Sequence, residues 1–121
     1  MMYPHPCPWF GGIITSRVRV DAPICDHQTI VVAERSGDET LITITSDCKS
    51  VHGYADRLRK VSMSDLMDLE GSMIMRMASE SGLTPTCLVP VAVYNACWME
   101  HGMISKNLAM QKRNICIEFM D

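Results

Sequence analysis

Two apolar alternating runs, "QTIVVAE" (28–34) and "TLITITS" (40–46), are separated only by "RSGDE" (35–39). Side chains that alternate every second residue suit a strand with one buried face. A connection this short, built on Ser-Gly-Asp, suits a hairpin. This part of the chain is therefore committed to antiparallel neighbours. A third strand precedes them, with Ile14, Ser16, Val18 and Val20 on one side and Thr15, Arg17 and Arg19 on the other. "DAPICDH" (21–27) interrupts the alternation with a proline-containing turn that carries Cys25.

Beyond residue 46 the period becomes helical. Val51, Tyr54, Ala55 and Leu58 lie on one apolar helix face. Ser62-Met63-Ser64-Asp65 has the form of a capping box and predicts a second helix to about Glu80, stopped by Gly82. A third helix is predicted from Thr86 or Cys87, with Pro90 tolerated near its start. Its stripe is Val89, Ala92, Val93, Ala96 and Cys97, and Gly102 ends it. "RNICIEF" (113–119) alternates again and predicts a last strand. The expected fold class is α+β: a mainly antiparallel four-stranded sheet, made of a three-strand meander plus a C-terminal strand, covered by three helices. Residues 1–13 read as a proline-rich N-terminal arm and 14–121 as a single domain.

Composition narrows the function classes. A chain of 121 residues can bury a core without disulfide staples. The net charge of −3, with Lys and Arg scattered, presents no basic face, so neither nucleic acid nor a membrane surface is an expected partner. No apolar run approaches a membrane span. "MMYPHPCPWFGG" (1–12) lacks the charged and apolar regions of a secretory signal, and the expected location is cytoplasmic. In that setting the six cysteines read as reduced thiols, available for metal or chemistry. With eleven methionines they suit a reducing, anaerobic cell.

The cysteines separate by position. Cys48 follows a strand and opens a helix, where unpaired N–H groups and the dipole favour a thiolate. Cys87 repeats this arrangement in "LTPTCLVP" (83–90), with Thr86 as N-cap. Cys25 occupies the turn between the first two strands. A shared site of Cys25, Cys48 and Cys87 is compatible with these positions; so are three separate structural cysteines, since the gaps match no local zinc or ferredoxin motif. His27 offers a fourth ligand for a Cys₃His zinc site or sits as an exposed turn residue. Asp47 reads first as an N-cap and second as a ligand. Cys97 continues an apolar stripe and reads as core. Glu100 shares the helix face of Cys97 and Val93, which makes it a partly buried carboxylate. Cys116 is expected on the opposite side of the last strand from Ile115, Ile117 and Phe119. Cys7, near His5, belongs to the arm. His52 reads as a surface residue, and His101 as a partner of a helix C-terminus.

"VDAPIC" (20–25), "ITITSDCKSV" (42–51) and "CLVP" (87–90), followed by Glu100 and Gly102, resemble a small uncharacterised family of methanogenic archaea and anaerobic bacteria. That family reads approximately "VDSGIC…IESDC.NV…CPVP…E.G". The resemblance spans roughly residues 18–119. Ala22-Pro23 replaces Ser-Gly, Leu88 replaces a frequent proline, and Asp26 stands where glycine is common. None of these departures removes a thiol. The family is a domain of unknown function, so the resemblance implies a common role for Cys25, Cys48 and Cys87 but no reaction.

The leading expectation is a small metal- or iron–sulfur-binding protein whose three-cysteine site leaves an open coordination position. Soft thiolates suit zinc or an iron–sulfur cluster equally, and the sequence does not choose. One alternative is a thiol enzyme that uses Cys48 as the nucleophile, with His27 or His52 as base. Another is a non-catalytic interaction module with exposed strand edges. The partner is a protein, a small molecule or a second copy of the chain.

Overall fold

The three alternating runs form the body of one antiparallel sheet. A computed structural model describes residues 15–121; the proline-rich arm, with His5 and Cys7, lies outside the described residues. Strands β1 (Thr15–Ala22), β2 (His27–Ser36) and β3 (Glu39–Ser46) pair in chain order. Cross-strand rows such as Ser16–Ala33–Ile42 and Val18–Val31–Ile44 face the core. The opposite face carries Arg17–Val32–Thr43 and Arg19–Ile30–Thr45. Only Gly37 and Asp38 join β2 to β3, and Gly37 takes φ +64°, the glycine-first geometry of a type II′ hairpin turn.

The fourth strand is not the one expected. It is β4 (Lys60–Ser62), three residues that pair antiparallel with β3 after helix α1 (Lys49–Arg57). Residues 113–121, which include "RNICIEF", form no strand and are exposed throughout. Alternation reports that a segment is suited to a sheet; it does not say that an edge of its own sheet will take it.

The first four helices serve the inner face. Val51 and Tyr54 of α1, and Leu58 at its C-terminal cap, are buried, and the Tyr54 hydroxyl donates to the Ile74 carbonyl at 2.9 Å. The predicted second helix is two helices, α2 (Met63–Met67) and α3 (Met73–Glu80). The capping box at Ser62 and Asp65 opens α2 as expected. Asp65 then also accepts from the Met73 N–H at 3.1 Å, while Ser72 Oγ accepts from the Ile74 N–H and restarts the helix. One carboxylate thus serves two helix starts, which holds the break in place. Helix α4 (Val89–Glu100) begins two residues later than Cys87 and packs on β1 and β2. A fifth helix, α5 (Lys106–Lys112), buries none of its residues. No helix among the described residues is long and apolar enough to cross a membrane.

The end of α4 is fixed by a buried carboxylate. Glu100 accepts from Ser16 Oγ at 2.9 Å and from the Arg35 N–H at 3.0 Å, and the adjacent His101 Nε2 meets Thr40 Oγ1 at 2.7 Å. Glu100→Ala leaves the buried Ser16 hydroxyl and the part-buried Arg35 N–H without their acceptor. It is expected to cost about 2–4 kcal/mol, from two hydrogen bonds to a charged acceptor. Glu100→Gln keeps an acceptor for Arg35 and a donor that Ser16 can accept, and is expected to recover most of that loss. Urea unfolding of the two variants checks the difference.

Candidate functional site

Cys25, Cys48 and Cys87 reach one end of the sheet by three separate routes. Cys25 lies in the β1–β2 turn, where its N–H donates to the Ala22 carbonyl at 3.1 Å. Its neighbour Asp26 takes φ +59°, a left-handed conformation that favours glycine and that aspartate tolerates. Cys48 is the N-cap of α1, immediately past β3, and its N–H donates to Ser46 Oγ at 3.2 Å. Thr29 pairs with Ser46, so the end of β3 lies beside the start of β2 and the Cys25 turn.

Cys87 arrives from the helix layer. Glu100 ties the C-terminus of α4 to Ser16 and Arg35, at the far end of β1 and β2. Twelve helical residues run about 18 Å back along the sheet. The strand from Ser16 to Ala22 spans about 20 Å. The N-terminus of α4, and Cys87 before it, therefore return to the Cys25 end. The Cys87 N–H donates to Thr84 at 3.0 Å, so the residue belongs to a turn and Thr86 is not the N-cap; Leu88 is.

The electrostatics agree with this placement. Burial pushes the Cys87 thiol above its ordinary 9.0, the Val89 N–H at the start of α4 pulls it down, and the charges of Cys48 and Cys25 push it up again. The three sulfurs share one electrostatic neighbourhood. Cys25 is exposed, whereas Cys48 and Cys87 are partly buried against the core. Among the described residues, no group of three or more His, Cys, Asp or Glu side chains is gathered tightly enough to hold a metal ion.

Beside the thiols lies a His–Asp pair. His27 Nδ1 meets Asp47 Oδ1 at 3.0 Å, and the same oxygen accepts from the Gln28 N–H at 3.2 Å. A carboxylate only accepts, so Nδ1 is the donor in this contact and Nε2 faces away from Asp47. Desolvation pushes the Asp47 carboxyl up, but the Gln28 N–H and the His27 ring outweigh it and hold the group below 3.8. Asp47 is thus an orienting partner of His27, not the N-cap of α1. His52 is exposed on α1, with Nε2 against the Ser46 carbonyl.

The other cysteines stay apart. Cys97 is fully buried within α4, and burial, then the charge of Glu100, pushes its thiol up to about 12. Cys116 is exposed in the C-terminal segment.

A family model described as "Family of unknown function (DUF6951)" matches residues 16–112. The match holds all three site cysteines and ends with α5, before Cys116. No curated protein and no solved structure matches the chain.

Thiol alkylation followed by peptide mapping reads this geometry directly. In metal-free protein Cys25 is expected to react first of the three converging cysteines, Cys116 is expected to react readily as well, and Cys97 only on unfolding. The midpoint for Cys87 is expected above 9.0 and should fall when Cys25 and Cys48 are both replaced by serine, because two neighbouring negative charges are gone. An unchanged Cys87 midpoint in that double variant would show that the sulfurs do not sense one another.

Proposed function

The chain belongs to the family of unknown function DUF6951, and we propose that it binds a thiolate-ligated metal centre, zinc or an iron–sulfur cluster, through Cys25, Cys48 and Cys87. The observation that carries this reading is the convergence of the β1–β2 turn, the β3–α1 junction and the start of α4 at one end of the sheet. Nothing in the core requires three thiols there, since the stripe cysteine of α4 is Cys97. The donor set fits a soft metal. His27 is the fourth ligand through Nε2, held by Asp47 in the carboxylate–histidine arrangement common behind metal-bound imidazoles. Where His27 exchanges from the fourth position for water or substrate, zinc would supply Lewis-acid chemistry and a cluster electron transfer or a labile iron site. The chain is otherwise read as cytoplasmic.

The His27–Asp47 pair also favours a second reading. A histidine oriented by a carboxylate beside a helix-capping cysteine has the parts of a thiol enzyme, with Cys48 as nucleophile and His27 as base.

One set of measurements separates the two. Anaerobically purified protein, assayed for metals and acid-labile sulfide, is expected to contain bound metal. Cys48→Ser should lose it while keeping a native circular dichroism spectrum, because serine caps a helix well and ligates soft metals poorly. Asp47→Asn should weaken metal affinity about 10–100-fold, as outer-shell partners generally do. Cys97→Ala should keep the metal. A metal-free wild type with a Cys48 that alkylates below the free-thiol midpoint of about 8.5 would favour the enzyme instead.

A further inference from the structure

Helix α5 and the segment after it are scarcely buried in their own fold. From Ser105 to Asp121 every side chain except Ala109 is exposed. A seven-residue helix such as α5 is well below the roughly 12–15 residues at which isolated helices become marginally stable. Beyond it, Ile115, Ile117 and Phe119 are 81%, 69% and 77% exposed, a run that alternates with Cys116, Glu118 and Met120. A period-two segment with one apolar side is a strand without a sheet.

The sheet has an edge of the right length. In the order β1-β2-β3-β4, the β4 edge is three residues long, while β1 offers eight residues that pair with nothing on their outer side among the described residues. The two faces of β1 differ. Ser16, Val18 and Val20 point to the core, and Arg17 and Arg19 to the outer face. A strand laid beside β1 with Ile115, Ile117 and Phe119 on the core side places Cys116 and Glu118 on the arginine side. Opposite charges across adjacent strands are favourable, and like charges are not. The helix before the segment touches the same strand: Lys106 Nζ, at the start of α5, donates to the Thr15 carbonyl at 3.4 Å.

We propose that residues 114–120 of one copy add as a strand to the β1 edge of a second copy, reciprocally, in a strand-exchanged dimer. The occupant is a second copy because the chain's own fold leaves this segment fully exposed while its apolar and charged sides match β1 on both faces. Exchange of an identical element closes a twofold dimer and covers both β1 edges at once. The inference does not depend on any metal.

Sedimentation equilibrium of the full chain, with and without chelator, tests it. A dimer is expected in both conditions. Ile117→Asp should raise the dimer dissociation constant at least about tenfold, by placing a charge on the apolar side. Arg17→Glu with Arg19→Glu should weaken the dimer, and adding Glu118→Arg should restore part of the loss, which guards against simple misfolding. A monomeric full chain overturns the proposal, including one whose residues 114–120 resist hydrogen exchange on their own sheet. So does a dimer that chelator dissociates or that Ile117→Asp leaves intact.

Discussion

The carboxylate of Glu100 decides where α4 lies. A negative charge at a helix C-terminus opposes the dipole, and a buried one loses its hydration. Ser16 and Arg35 offset both with two hydrogen bonds from different strands. Thr40 and His101 add a third tie at the same end. With its C-terminus fixed there, a twelve-residue helix can only return Cys87 to the opposite end of the sheet. The placement of the candidate site is thus a consequence of a contact about one helix length away. The same contact explains why a polar residue continues the Val93–Cys97 face: its carboxylate ties the end of α4 to two strands.

Much of this was legible before any coordinates. The hairpin of β2 and β3 was, although its turn, at two residues, is shorter than the five-residue connection expected. That turn sets the register that lays Asp47 beside Gln28. The His27–Asp47 pair was not legible, because it forms past the end of the strand pairing, where Asp47 also accepts from the Gln28 N–H. Helix α4 and the burial of Cys97 and Glu100 followed from a 3.6-residue stripe. The break between α2 and α3 did not, because it depends on Asp65 capping a helix eight residues away, a contact that local patterning does not encode. The start of α4 was displaced for a similar reason: Thr84 captures the Cys87 N–H first.

The C-terminal segment is the most instructive departure. Its alternation is as regular as that of β1, and propensity alone assigns both to the sheet. What propensity cannot assign is the owner of the edge. Strand pairing is satisfied equally by an edge of the same chain or of a neighbouring one, since the hydrogen bonds are backbone to backbone. Here the helical layer closes over the inner face without using residues 113–121, so the segment retains its pattern and lacks its partner.

The unequal support of the three thiols bears on how a metal site could close. Cys48 is held by a helix cap and Cys87 by a turn and the start of α4, both against the core. Cys25 is carried on an exposed four-residue turn, the least constrained of the three. Cys87 senses the charges of Cys48 and Cys25, yet among the described residues the three do not form a closed cluster. Ordering a whole four-residue turn costs at most about 4–8 kcal/mol of backbone entropy. Thiolate-rich zinc sites release about 10–16 kcal/mol on binding. On the proposed reading, ordering this turn is therefore the smaller of the two quantities, and its two hydrogen bonds, from Cys25 to Ala22 and from Asp26 to Pro23, already limit how much remains to be ordered.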